Sequence, residues 1–116
     1  MRTLSIDEIA RVCHEANRAY CHTINDREGI PWDEETDAQR NSVIAGVEAV
    51  IDDPHLTPER SHQKWMAYKK AEGWTYGSVK DEEKKTHPNL ALWDELSIQQ
   101  KRKDHLFQAI VRELLR

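Results

Sequence analysis

The chain has 116 residues and a formal net charge of −4, with 38% hydrophobic and 33% charged residues. This length suits one domain with a modest core, and four Trp with regular apolar spacing argue against disorder. No run of 18 apolar residues occurs, which excludes a membrane-spanning helix, and the acidic residues near the start argue against a secretory signal. A cytoplasmic protein is therefore expected.

The charge is unevenly distributed along the chain. Residues 1–56 carry five Lys or Arg against twelve Asp or Glu, a balance of −7, whereas residues 57–116 carry twelve against nine, a balance of +3. An acidic total argues against a protein that coats nucleic acid, because neutralising phosphates needs a basic face. The basic second half can still hold a small anion.

The first predicted helix covers residues 5–24, "SIDEIARVCHEANRAYCHTI". Ser5 is a suitable N-cap, and Glu8 three residues later completes a capping box. An amide at Asn17, within the inward face of this helix, must find partners or cost about 1–3 kcal/mol. It either bonds to a loop carbonyl in the core or recognises a base edge or ribose of a ligand. The apolar stripe of the helix is Ile6, Ile9, Cys13, Ala16 and Tyr20.

Two further helices follow the loop at 25–35. The segment 37–53 is nearly all apolar in its middle and is expected to be the most buried element, with Gly46 permitting close helix approach at a cost of about 1 kcal/mol. Thr57 then reads as an N-cap with Pro58 at the first helical position. This third helix is expected to end near Gly73.

Residues 74–93 lack helical periodicity, and we expect an irregular arm or a short β-ribbon that pairs 74–79 with 89–93. The last helix starts after Ser97, with Gln100 able to close a capping box, and runs to the end of the chain. No internal repeat is visible. The predicted fold is therefore mainly α, a single domain over residues 1–116 with about four helices. The apolar face of the last helix is Leu106, Phe107, Ile110, Val111 and Leu114.

The nucleophile and metal patterns of enzymes are missing from the sequence. Cys13 and Cys21 would lie about 12 Å apart on one helix, too far for a disulfide, and Cys-His pairs at opposite ends of one helix cannot share a zinc ion. No nucleophile elbow, phosphate loop or metal motif occurs. We expect reduced thiols, no metal, no cofactor and no enzymatic activity.

The candidate site combines aromatic and charged residues. Trp65 and Lys69 share a helix face at i and i+4. Rings can stack on a base and ammonium groups can meet phosphate. The competing interpretation places Trp65 and Trp74 in the core and leaves the lysines solvated. The other candidate residues of the following segment are Trp74, Tyr76, Lys80, Asp81 and Lys84.

The stretch "HQKWMAYKKAEGWTYGSVKDEEKKTHPNLALWDELSIQQKRKDHLF" carries a family resemblance. Its Trp65, the Gly-Trp-x-Tyr-Gly at 73–77, the Val-Lys-Asp at 79–81, His87-Pro88 and Trp93 together resemble the RyR domain, the repeat domain of ryanodine receptors. The resemblance is strongest over 57–115. The first half, with "HEANRAYC", is similar to the front part of small stand-alone RyR-domain proteins of bacteria and phages.

This resemblance implies a non-enzymatic binding module for a nucleotide or a nucleotide-derived signalling molecule, and in a phage a sponge for a host immune second messenger. It implies that Trp65 and Lys80 lie opposite each other across the site. His87 belongs to the matched motif, and we expect it to be structural and to tie the loop by a hydrogen bond. Lys80 stands where Arg is frequent, which replaces a bidentate fork by a point charge. The expected partners are a nucleotide-like small molecule and, as an open possibility, a second copy of the chain, but neither nucleic acid nor a membrane. The alternative is a protein-interaction module with Trp32, Trp93 and the last helix as an exposed patch.

Overall fold

Four helices form the body of the computed structural model, which describes residues 3–27 and 29–115. No helix within these ranges is both long and apolar enough to cross a bilayer. The radius of gyration of 13.7 Å is typical of a folded domain of this size. The prediction of a mainly α fold with about four helices is confirmed. The helices are α1 (Ile6–Thr23), α2 (Asp37–Asp52), α3 (Pro58–Ala71) and α4 (Ile98–Leu114).

Local capping signals set the helix ends. The Ser5 hydroxyl accepts the Glu8 N–H, and the Glu8 carboxylate accepts the Ser5 N–H, both at 3.1 Å, which confirms the predicted capping box. Thr57 caps α3 with Pro58 in its first turn, and Gly73 follows that helix with φ +93°, a conformation that glycine adopts without strain.

The expected capping box of α4 is only half formed. Ser97 accepts the Gln100 N–H at 3.3 Å, as predicted. The Gln100 side chain, however, accepts a hydrogen bond of 2.8 Å from the Asn89 amide and so fixes the segment before α4 to the helix.

Two hydrophobic clusters form the core. The larger one joins α1, α2 and α4, and the smaller one lies between α3 and the arm. Ile6 is exposed, so the buried stripe of α1 begins at Ile9. The smaller cluster consists of Met66, Trp74 and Leu90 with Trp65 packed against it, and the larger of Ile9, Ala10, Cys13, Trp32, Val47, Val50, Leu56 and Val111.

The middle of α2 is less buried than its composition predicts. Val47 and Val50 belong to the core, but the apolar residues before Gly46 are only half-buried. Val43 and Ala45 instead line a central cavity between the helices.

The arm at 74–93 contains a two-stranded parallel pair, β1 (Thr75–Tyr76) and β2 (Thr86–His87). The irregular arm is thus confirmed, whereas the predicted partner segment at 89–93 is wrong. Thr75 pairs with Thr86, and a turn with Lys85 at φ +55° brings Thr86 back to an antiparallel bridge with Asp81.

Two Trp-Asp-Glu segments form equivalent 3-10 turns, Trp32–Glu34 and Trp93–Glu95. Each turn ends two residues before the N-cap of the next helix, Thr36 for α2 and Ser97 for α4. The expectation that the chain has no internal repeat is therefore wrong. The repeat is hard to see in the sequence because the arm lengthens the second copy.

A histidine on the preceding helix fixes each turn in the same way. His14 of α1 lies 2.8 Å through Nε2 from the Ile30 carbonyl, and His62 of α3 lies 2.8 Å through Nε2 from the Ala91 carbonyl. Each carbonyl precedes its Trp by two residues, and each His contacts that Trp ring. The molecule therefore consists of two related units, α1 to α2 and α3 to α4.

The two units meet where Gly46 of α2 faces Phe107 of α4. These residues occupy equivalent places, each 14 positions after the Trp of its turn. A Cβ added to Gly46 would lie 3.1 Å from Phe107 Cζ. The missing side chain therefore lets the aromatic ring pack on the helix backbone, as the sequence predicts for a close helix approach.

Gly77 permits the close approach of β1 to β2, so Gly77→Ala should destabilise the arm. A Cβ there would lie 2.6 Å from Thr86 Cβ, and neither group can move without shifting backbone. We expect a loss of about 1–3 kcal/mol in the free energy of unfolding, measured by urea denaturation. Gly29→Ala is the matched control, because its Cβ would meet only the flexible Arg18 side chain, at 3.2 Å. Equal effects of the two substitutions would contradict the steric explanation.

Candidate functional site

A central cavity of about 850 Å³ lies between the four helices and the arm. This volume is in the range of small-molecule sites, about 300–1,000 Å³. A smaller depression of about 430 Å³ lies between the arm and the start of α4, with Tyr76 in its wall. The lining of the central cavity includes Asn17, Arg18, His62, Trp65, Lys80, His87, Lys103 and Asp104.

The cavity is basic although the protein as a whole is acidic. Among the residues that the structure describes, five Lys or Arg line it against three Asp or Glu. Positive charge gathered in a recess of low dielectric constant attracts anions. The basic residues are Arg18, Arg27, Lys64, Lys80 and Lys103, and the acidic residues are Asp26, Glu35 and Asp104.

Three aromatic rings form one wall of the cavity. Trp65 is stacked with His62 at a centroid distance of 5.7 Å, and the ring of His87 lies at 78° to the indole at 5.0 Å. Because both histidines already contact the indole, a planar ligand would pack on the surface of this three-ring cluster rather than on a free tryptophan face.

His87 is held as a neutral ring. Its Nδ1 accepts the Asn89 N–H at 3.0 Å, so the proton of the neutral ring is on Nε2. Burial, followed by the charges of Lys80 and Lys69, lowers the pKa of His87 to about 4. The predicted structural hydrogen bond of His87 is thus present, and the same ring also lines the cavity.

Asp104 is the most perturbed carboxyl group of the cavity. Burial raises its pKa to about 7, against the opposing effect of Lys103. Its Oδ2 lies 3.9 Å from Nδ1 of His62, which is beyond hydrogen-bonding distance. Burial thus favours the neutral, protonated form of this carboxyl group.

The wall formed by α1 contains polar groups whose hydrogen-bonding capacity is not fully used. Arg18 Nη1 pairs with Glu15, while Arg18 Nε is buried without a partner in the described parts of the chain. Unpaired buried donors are rare in folded proteins. Asn17 lies beside Arg18 and also lines the cavity, as the inward position predicted for it requires.

The structure divides the residues of the predicted site between different places. Trp65, Lys80 and Asn17 line the cavity. Lys69 and Trp74 belong to the interior: Lys69 is 4% exposed, lies 5.0 Å from the Trp74 ring centroid and donates to the Gln39 side chain at 3.3 Å. Their ligand-binding role stays a prediction, and their observed contacts are those of a packed cation–π pair.

The remaining predicted residues lie on the arm outside the cavity lining. Tyr76 is 64% exposed. Asp81 Oδ1 accepts the N–H groups of Glu83 and Lys84, which shapes the turn between the strands. The Lys84 side chain is exposed to solvent.

The predicted exposed patch of Trp32, Trp93 and the last helix is not assembled. Trp32 is only 7% exposed, because its ring packs against His14 and the Arg40 guanidinium. Trp93 is half-buried against His62 and His105.

Sequence reasoning missed His62, Lys103 and Asp104. A signal for Asp104 was present, because it lies three residues before Phe107 and four after Gln100 on the inward face of α4. An acidic residue on an apolar helix face needs an explanation, since ionised groups are rarely buried without a partner.

Fold and cavity together define a small helical domain built from two related units around one cavity. The family model of the RyR domain matches residues 36–116, and the chain belongs to this family. The match starts at α2, earlier than the stretch in which the resemblance is strongest, and leaves α1 outside. No curated protein matches the sequence.

Asp104 and His87 should affect the pH dependence of stability in opposite directions. The folded state raises the pKa of Asp104 from 3.8 to about 7, so this residue stabilises the fold below pH 4, and the contribution is lost as pH rises through 7. The folded state lowers the pKa of His87 from 6.5 to about 4, so that contribution is present above pH 6.5 and is lost as pH falls through 4.

Asp104→Asn should therefore gain stability relative to wild type as pH rises. We expect the difference in unfolding free energy, variant minus wild type, to increase by about 2–4 kcal/mol between pH 4 and pH 7. Urea denaturation at half-unit pH intervals measures it. His87→Gln is the control of opposite sign, since its difference from wild type should decrease over the same range. A constant difference for Asp104→Asn would contradict a raised pKa.

Proposed function

We propose that this RyR-domain protein binds a nucleotide or a nucleotide-derived signalling molecule in the central cavity and leaves it chemically unchanged. The observation that carries the proposal is one recess of about 850 Å³ that combines a basic lining with a wall of three aromatic rings. A nucleotide has the matching parts, an anionic phosphate and a flat base.

Lys80 and Lys103 are suited to the phosphate end. Lys80 Nζ lies 4.0 Å from Glu82, and Lys103 Nζ lies 4.0 Å from Asp26. Such long, partly exposed ion pairs contribute little stability. Either ammonium group can therefore turn to a phosphate at small cost.

The wall of Trp65, His62 and His87 is suited to the base. Base–aromatic contact contributes about 1–3 kcal/mol per base as judged by truncation. The neutral His87 ring adds an N–H donor without adding a charge.

Binding without turnover is supported by the state of the cavity thiols. Burial raises the pKa of Cys13 to about 12 and also raises the pKa of Cys21. Thiols with raised pKa values are poor nucleophiles at neutral pH, because the thiolate is the reactive form. If a phage encodes this protein, intact retention of a signalling nucleotide would deprive a host defence of its signal.

Titration calorimetry with a panel of mononucleotides, dinucleotides and cyclic nucleotides tests the proposal, followed by chromatography of the recovered ligand. We expect saturable binding of at least one nucleotide and its recovery unchanged. Recovery of a converted product would show an enzyme instead.

The competing function is a protein-interaction module, and one observation favours it. Four large apolar side chains, Tyr76, Val79, Leu92 and Ile98, are each 64–67% exposed. No heat with any member of the nucleotide panel would favour this alternative over the cavity.

Lys80→Ala should weaken the binding of phosphorylated ligands and spare the bare nucleoside. Loss of one charge-assisted contact costs about 1.5–3 kcal/mol, or roughly ten- to a hundredfold in Kd. The affinity of wild type should also fall with salt, because exposed charges are screened within about 10 Å at 0.1 M.

Lys70→Ala is the matched control, an exposed lysine of α3 that does not line the cavity. Lys84→Ala distinguishes the cavity from the site predicted on the arm, and we expect no loss of affinity. Wild-type binding of every nucleotide by Lys80→Ala would overturn the phosphate role of Lys80.

A further inference from the structure

The two units of the molecule share their framework but differ where they line the cavity. The framework comprises a His bonded to a carbonyl, a Trp-Asp-Glu turn and a Thr or Ser cap, and it is present in both units. At equivalent positions in the cavity lining, the two units have different residue types. The aromatic or charged residue of each pair comes from the second unit. Counted from the shared His and Trp residues, these pairs are Asn17 and Trp65, Ser42 and Lys103, and Val43 and Asp104.

Asp104 lies next to the aromatic wall. Its Oδ2 is 3.9 Å from His62 Nδ1, and the His62 ring is stacked with Trp65 at 5.7 Å. The side chain is 24% exposed, and no hydrogen bond to its carboxyl group occurs within residues 3–27 and 29–115. A carboxyl group in this position can therefore meet the edge of a base that packs on the wall.

His62 cannot turn to satisfy Asp104. The Ala91 carbonyl can only accept, so His62 Nε2 carries a proton and donates it at 2.8 Å. Its other ring nitrogen, Nδ1, stays 3.9 Å from Asp104 Oδ2, beyond hydrogen-bonding distance. The carboxyl group is therefore available to a ligand.

We propose that Asp104 recognises the hydrogen-bonding edge of a purine base, selecting an adenine-type edge when neutral and a guanine-type edge when ionised. The proposal rests on the proposed function, because it requires a base in the cavity. It assigns the base end of the ligand to the second unit, beside the aromatic wall.

Donor and acceptor complementarity gives the selection. The Watson–Crick edge of adenine presents an N–H donor beside a ring-nitrogen acceptor, and a neutral carboxyl group offers an acceptor and a donor in return. The edge of guanine presents two adjacent donors, which a carboxylate accepts with both oxygens. The mismatched combination leaves a polar group unpaired inside the site, which is the stronger form of discrimination.

The electrostatic surroundings place the switch near neutral pH. Burial raises the pKa of Asp104 to about 7, and Lys103 on the same helix opposes this. Among described residues, α2 contributes no charged side chain to the cavity. In the described ranges, the other titratable groups that face the cavity are Cys13, His14, Arg18 and Cys21 from α1, His62, Lys64 and Tyr68 from α3, Lys80 and His87 from the arm, and Asp26, Arg27 and Glu35 from the loop after α1.

Calorimetry with AMP and GMP at pH 5.5 and pH 8.0 tests the proposal on the full chain. Both bases are neutral at these pH values, and ionisation of the phosphate affects both ligands equally, so the ratio of the two Kd values isolates the base. We expect the preference for AMP over GMP to fall at least tenfold from pH 5.5 to pH 8.0. Asp104→Asn should prefer AMP equally at both pH values, because a carboxamide offers one acceptor and one donor at any pH.

Asp94→Asn, the same substitution just before α4 and outside the cavity lining, should keep the wild-type pH dependence. A second measurement needs no variant. By linkage, AMP should raise the midpoint of the Asp104 carboxyl ¹³C titration and GMP should lower it.

The outcomes separate this proposal from the one on which it rests. A ratio that does not change with pH in wild type, or one that changes equally in Asp104→Asn, overturns the role of Asp104 while nucleotide binding stands. If no nucleotide of the panel binds, both proposals fall. If other nucleotides of the panel bind but AMP and GMP do not, recognition of a mononucleotide base by Asp104 is refuted.

Discussion

One hydrogen bond, made twice, organises this molecule. A histidine in the middle of α1 and its counterpart in α3 each donate Nε2–H to a carbonyl that precedes a Trp-Asp-Glu turn. The bond fixes the path of the connecting segment and thereby the start of the following helix. Both units obtain the same geometry in this way, and their second helices can meet face to face at Gly46 and Phe107. The cavity is the space that this arrangement leaves between the units.

The arm depends on the helices more than on its own strands. A parallel strand pair with only two residues in each strand is too short to be stable alone. It is held by the contact of His87 with Trp65 and by the hydrogen bond of Asn89 to Gln100. These contacts bury His87 and help to close the cavity. The low dielectric constant of that enclosed space is the common reason that the pKa of His87 falls and the pKa of Asp104 rises.

The RyR-domain match begins at α2, yet α1 forms a wall of the proposed site. The helix outside the match contributes Asn17 and Arg18, and its framework histidine repeats that of α3. The lining of the cavity is therefore divided between the family region and the helix that precedes it. Differences between the two units at the cavity, such as Val43 and Asp104, give the recess two unlike ends.

The sequence by itself determined the elements whose causes are local. Ser5, Thr57 and Ser97 cap their helices because an N-cap needs only a side-chain oxygen and a backbone N–H three residues later. The inward position of Asn17 followed from helical periodicity. The tertiary structure decided what depends on distant neighbours. Periodicity predicts which face of a helix a residue occupies but not what covers that face. The packing of the arm against α3 therefore had to show that Lys69 and Trp74 belong to the core. The same packing places Trp65 and Lys80 in the cavity lining. The strand that pairs with β1 could not be predicted either, since a strand of two residues is too short to show an alternation of apolar and polar residues. Asp104 acquires its raised pKa from burial among residues that are far apart in the chain, and no local pattern encodes that burial.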